Sequence, residues 1–241
     1  MPPKKTHREV KTPQITARYL ADYMAASETA KRTIVQKCKY QSLVRIIQHE
    51  EAKLEVAKHL RSGEPEVGTI REIAERIRRR IADDEYERDL YDHNADYLSR
   101  AADVLPQVLL PNAERLVPGK CPAAVIHGVK VKPQIYLRLS RTTKTNEVRI
   151  GAVMLRYAKG RPLNVETASW QSAFLHGYLR SGDGVGGAEP EEKLCLTLDM
   201  YAGIAYGAPS DSVRRFGHMR SACASIFERW PNIPPPKKAV L

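Results

Sequence analysis

The sequence predicts an α/β protein, a mixed central sheet flanked by helices with a helical N-terminal half. Three observations lead there. Apolar residues recur at helical spacing from about 15 to 105, short strand-like apolar runs gather after Pro118-Gly119, and two further helical patterns interleave with those runs. With 241 residues, 42% of them hydrophobic, the chain is long enough to bury a real core. No apolar run approaches the roughly 20 residues of a membrane span. The basic start MPPKKTHREVKTP has no apolar stretch of the secretory kind. A cytoplasmic protein with no membrane partner is therefore expected.

Taken in order, residues 1–14 read as a basic flexible tail, 15–118 as a helical region, 119–233 as an α/β core, and 234–241 (PPPKKAVL) as a second basic flexible tail. The first helical pattern begins at Ile15 and includes Leu43, Ile46, Ile47, Leu54 and Ala57. It stops at Ser62-Gly63-Glu64-Pro65, a turn signal. Thr69 followed by Glu72 reads as a capping box, in which each side chain satisfies an orphan amide. Ile70, Ile73, Ala74, Ile77 and Ile81 form an apolar stripe behind it. The run Arg76 to Arg80 reads as a solvated face, with Asp83 and Asp84 four residues after Arg79 and Arg80. Helix then continues through Tyr91, Tyr97 and Leu98 towards Leu105, where Pro106 interrupts it.

Strands are expected at 123–126, 135–139, 150–155 and 194–200. One helix follows Asn164, a good N-cap, and runs through Trp170, Phe174 and Leu179 to Gly182. Another follows Ser210 and uses Val213, Phe216, Met219, Cys223, Ile226, Phe227 and Trp230. The glycine-rich loop 181–187 matches no phosphate-binding motif, since no strand precedes it and no Gly-Lys-Ser/Thr follows.

Charge is unevenly placed. Residues 1–118 carry 21 Lys/Arg against 19 Asp/Glu, whereas 119–241 carry 18 against 9. A basic half attracts phosphate polymers or an acidic protein partner. The cysteines Cys38, Cys121, Cys195 and Cys223 stand far apart with no CxxC, which favours buried free thiols over zinc or disulfides. The histidines His127, His176 and His218 are scattered, with no metal pair at i, i+4. Walker, dinucleotide and Gly-x-Ser-x-Gly motifs are absent. A Cys-His hydrolase built on Cys195 or Cys223 requires partners that meet only in space.

The stretch VKPQIYLRLSRTTKTNEVRIGAVMLRYAKG, from 131 to 160, reads as two strands joined by a polar hairpin, and a helix follows. Over about 120–230 this layout resembles the RecB-type branch of the PD-(D/E)XK, or restriction-endonuclease-like, nuclease superfamily. In that family a metal-binding Asp, often after Pro, ends one strand, the next carries (D/E)-x-Lys, and the helix carries a QxxxY-type motif. Two carboxylates on adjacent strands hold Mg²⁺ against the developing phosphate charge. The resemblance places Gln134, beside Pro133, on the metal-binding Asp, Ala152 on the second acid and Met154 on the lysine. Gln171 and Tyr178, seven apart, stand for the helix motif.

A neutral amide, a methyl and a soft thioether have no affinity for Mg²⁺. What the resemblance then implies is a catalytically inactive, nuclease-like protein with no catalytic residue, metal or cofactor. It would bind nucleic acid or serve as a non-catalytic subunit of a DNA-processing or phage-defence complex. One alternative is an active metal-dependent nuclease with a migrated site, drawing on Asp199, Glu147, Glu166 and Lys159. Another is a protein-interaction module with a basic surface. Nucleic-acid contacts are expected from Lys130, Lys132 and Arg138, sharing one side of a strand that continues through Pro133 and carries Gln134. Arg149, Arg156, Lys159 and Arg161 are expected to join them.

Overall fold

A computed structural model describes residues 5–43, 49–63, 66–182, 188–237 and 239–241. The chain opens with two short strands, β1 (His7–Glu9) and β2 (Gln14–Thr16), and helices α1 (Ala17–Met24) and α2 (Glu28–Lys39). Thr16 and Ser27 cap these helices by accepting from the amides of Tyr19 and Ala30. Strand β3 (Tyr40–Ser42) pairs antiparallel with β1. Helices α3 (Glu50–Ser62), α4 (Val67–Arg78) and α5 (Glu85–Val104) follow, and Asp84 caps α5 through the amide of Glu87.

The sheets come next: β4 (Glu114–Leu116), β5 (Ala124–Ile126), β6 (Val129–Lys132), β7 (Leu137–Thr142) and β8 (Val148–Arg156). Helix α6 (Val165–Arg180) leads to β9 (Glu189–Asp199), β10 (Ile204–Gly207) and α7 (Ser212–Arg229). The order in the main sheet is β10-β9-β8-β7-β4, with β8 and β9 parallel and the other neighbours antiparallel. A small sheet, β2-β6-β5, lies beside it and joins β2 in parallel to β6. The β5–β6 turn puts His127 and Gly128 both at positive φ, the geometry a two-residue hairpin requires.

Side-chain alternation along β8 and β9 sorts the core into two layers. Ile150, Ala152, Met154 and Cys195 face α6, α1 and α7, meeting Phe174, Tyr178, Leu20 and Met219. Val153, Leu155, Leu194 and Leu198 face the other way, against Val56, Ile70, Ile77 and Leu98 of α3–α5. Gly151 sits where β8 and β9 lose register, and a Cβ there would stand 2.0 Å from the Leu194 carbonyl oxygen. Only glycine lets the two parallel strands approach so closely.

The expected α/β class with a mixed sheet between helices is thus present, and several boundaries differ from expectation. The first helical pattern is three helices interrupted by β3; Leu43 and Leu54 are exposed, and Ile46 and Ile47 lie outside the described residues. Helix α4 starts at Val67, so Thr69 lies inside it. The threonine hydroxyl donates to the Glu66 carboxylate at 2.8 Å and caps nothing, and Ile81 lies beyond the helix end, almost fully exposed. Arg78 and Arg80 pair with Glu75, Asp96 and Glu51, not with Asp83 or Asp84. Asp211, not Ser210, occupies the position before α7.

The two expected tails also depart from their reading, because β1 is paired and the amide of Thr6 donates to the Val240 carbonyl at 2.9 Å. Lys39, at 4% exposure, donates to the carbonyls of Trp230, Pro231 and Ile233 at 2.9–3.2 Å and fixes the chain just before the second tail. Strands β2 and β4 place part of the 15–118 region in the sheets themselves. Cys38, Cys195 and Cys223 are buried free thiols that burial pushes up to about 12, whereas Cys121 is half-buried. Among the described residues no helix is long and apolar enough to cross a membrane.

Candidate functional site

The hairpin expected at 131–160 exists as β7 and β8, turning at Thr143–Glu147, where the amide of Thr143 donates to the Glu147 carbonyl. The strand drawn through Pro133 does not. β6 ends at Lys132 and belongs to the small sheet, β7 starts at Leu137 in the main one, and Gln134 lies in the connection. Lys130 and Lys132 therefore do not share a strand with Arg138. Lys130 and Lys132 are exposed on β6, and Arg138 is half-buried on β7, its Nη2 3.9 Å from the Cys121 sulfur.

Ala152, Met154, Gln171 and Tyr178 do come together, in the dry layer under α6. All four are at most 1% exposed. The Gln171 amide donates to the Met154 sulfur at 3.5 Å, and the Tyr178 hydroxyl donates to the Pro122 carbonyl. These positions are buried core, which a methyl and a thioether fill and a metal-bound carboxylate would not, and the Gln171 Oε1 is itself buried without a partner.

The fallback acids are dispersed. Asp199 is 1% exposed, and its carboxylate accepts from the amides of Leu163, Tyr201 and Ala202 at 2.6–3.2 Å, so it closes a turn. Glu147 is an exposed partner of Arg149 in the hairpin, and Glu166 pairs with Arg215. Lys159 pairs with Asp96 at 2.8 Å. Among the described residues no group of three or more His, Cys, Asp or Glu is placed to hold a metal ion. His176 lies against Ser212, Nδ1 to Oγ 2.9 Å, in a buried contact joining α6 to α7; the serine is wholly buried and not poised to attack a substrate.

Of the seven cations expected to bind nucleic acid, Arg149 is occupied by Glu147 and Glu189, Lys132 lines a separate cavity, and Arg156 and Arg161 line one together. That cleft, of about 230 Å³, opens at the carboxyl ends of the parallel pair β8 and β9, whose last residues Arg156 and Asp199 are register partners. Open α/β sheets bind ligands at this edge. The first turn of α6, with Asn164 and Thr167, forms one wall, and Arg18 and Asp22 of α1 form another. Asn164 caps α6 as expected, its side chain accepting from the Glu166 amide at 2.8 Å.

The cleft is electrostatically unfinished. Arg156 is 12% exposed and donates from Nη2 to Asp22 Oδ1 at 2.7 Å, while its Nη1 is buried without a partner. The Nε of Arg18 is likewise buried and unpartnered. Burial pushes the Arg156 guanidinium below its ordinary range, Asp22 opposes that, and the charge of Arg18 adds to it. Lys53, on α3, is lowered in the same way, first by burial and then by Arg18 and Arg156, with Glu50 opposing. Like charges gathered around unsatisfied donors are favourable only when an anion joins them. On the other side Tyr157 stacks on Tyr97 at 4.3 Å, with His49 edge-on to both.

Arg18 had no signal in the sequence beyond its charge, because it reaches the cleft by tertiary packing of α1 against α6. One trace was legible: Arg18 and Asp22 stand at i, i+4, the spacing that places two side chains on one helix face. No protein-family model matches the chain, and no curated protein matches it.

Proposed function

We propose that this is a non-catalytic, nuclease-like binding protein that grips phosphate groups of nucleic acid in the cleft at the ends of β8 and β9. The observation that carries the reading is the pair of buried, unpartnered guanidinium nitrogens on Arg18 and Arg156. Leaving such donors unmade costs stability, and a phosphate oxygen supplies what they lack. Arg161, exposed at the rim, extends the positive field outward, and the start of α6 adds the positive end of a helix dipole. A net charge of +11 favours encounter with a polyanion. The resemblance in element order, hairpin then helix then parallel strand, is compatible with a nuclease-like frame. The dry packing at Ala152 and Met154 supports binding without metal-assisted cleavage.

The test is a titration of short single- and double-stranded DNA and RNA at two salt concentrations, with Mg²⁺ and Mn²⁺ present in a parallel cleavage assay. Wild type is expected to bind with little sequence preference, more weakly at high salt, and to leave the strands intact. An Arg18→Gln/Arg161→Gln double variant is expected to lose roughly tenfold or more in affinity, since each lost phosphate contact also lowers the log–log salt slope by about 0.9. A Lys130→Ala/Lys132→Ala variant, altered away from the cleft, should bind nearly as wild type. If the double variant binds like wild type, the cleft is not the phosphate site and the reading fails.

A further inference from the structure

We infer, resting on the reading of the cleft as a phosphate site, that it takes a terminal phosphate monoester in preference to an internal phosphodiester. Three features of the cleft converge on this. Its volume of about 230 Å³ lies below the 300–1,000 Å³ of ordinary small-molecule pockets, room for a phosphate and the first atoms of the group that carries it. Two side chains that line it, Arg156 and Arg18, each carry a buried nitrogen without a partner. A phosphate within a continuous strand carries chain on both sides and must enter through two exits, whereas a terminal phosphate enters head first.

The third feature is charge. Arg18, Arg156 and Arg161 against Asp22 and Asp199 leave one positive charge among the lining groups. The start of α6 adds about half a charge more. A monoester carries roughly 1.5 to 2 negative charges near pH 7, which matches that surplus, whereas a diester carries one. Three arginines also match three terminal oxygens, where a diester offers two non-bridging ones. The same monoester occurs on a nucleic-acid end, on a free mononucleotide and as inorganic phosphate, and the experiment separates these sources.

Fluorescence anisotropy would compare one oligonucleotide carrying a 5′-phosphate, a 3′-phosphate or hydroxyls at both ends, with AMP and inorganic phosphate as competitors. An end-phosphorylated strand is expected to bind about tenfold tighter than the unphosphorylated one, the effect of one added charge-assisted hydrogen bond. That advantage should disappear in Arg161→Gln, an exposed position whose replacement leaves the fold intact. It should also shrink below about pH 6, where the monoester takes up its second proton. If phosphorylated and unphosphorylated strands bind equally and Arg18→Gln/Arg161→Gln weakens both, the monoester preference is wrong and the nucleic-acid reading stands. If no strand binds but AMP or inorganic phosphate does, the monoester preference holds and the nucleic-acid reading falls. If nothing binds, both are overturned.

Discussion

Met154 and Arg156 lie on the same face of the same strand, two residues apart, yet one sits in a dry core and the other at the base of a charged cleft. The strand is continuous, and what changes is the cover above it. Helix α6 runs over Ala152 and Met154, placing Phe174 and Tyr178 on them, and it begins at Val165, level with the strand's end. At Arg156 its cover gives way to α1, which brings Arg18 and Asp22. The difference teaches that chemistry on this sheet is set by where a helix starts, not by which strand carries the residue.

The strongest way to break the comparison is to place charge in the dry part. Ala152→Asp puts an acid into the packed layer under α6. It should destabilise the protein by about 3–5 kcal/mol, as a buried charge left without a partner does. Denaturant midpoints measure this. A loss below about 1 kcal/mol would mean that the region under α6 admits water and is not dry.

A second test sharpens the picture on the opposite face, where Tyr157 follows Arg156. His49 packs against Tyr97 and Tyr157, and burial, helped by Lys53, lowers its imidazole to about 4. The folded state therefore binds fewer protons than the unfolded one, whose histidine has its ordinary value of about 6.5. Stability from this group is complete above about pH 6.5 and is lost as pH falls towards 4. Because the ring is only partly buried, the loss is discounted to about 1–2 kcal/mol. Thermal melts across that range should be steeper in pH for wild type than for His49→Gln; parallel curves would show that His49 does not titrate this way.

The smallest effects concern helix starts. Asp84→Ala, which removes a side-chain cap from α5, should cost about 1 kcal/mol. Thr69→Ala should cost only a few tenths, because Thr69 bonds an exposed carboxylate within α4. Chemical denaturation of the two variants side by side gives the order, and a reversed order would mean that Thr69 caps a helix start after all.

The fold class, the β7–β8 hairpin, the α6 cap at Asn164 and the apolar stripe at Ile70, Ile73, Ala74 and Ile77 were legible because each depends on nearby residues. The Thr69 box misled for a similar reason: Val67 and Gly68 give no local sign that the helix has already begun. β2, β4 and β6 were missed as separate strands because three or four residues carry too little periodicity, and their pairing is decided by distant partners. Of the candidate site, Arg156 and Arg161 were legible as cations near a strand end. Arg18 was not, since about 140 residues separate it from Arg156 and only the packing of α1 beside α6 unites them.

Lys39 has one more consequence, for how the molecule is made. Its ammonium group is held by carbonyls 191 to 194 residues further along the chain. During synthesis that side chain waits, without these partners, until residues 230–233 have emerged. Helices α4 and α5 pack on each other and can form that contact soon after they leave the ribosome, before the strands they also cover. Assembly is therefore ordered in time, with the α4–α5 pair formed early and the clamp of Lys39 on 230–233 formed late.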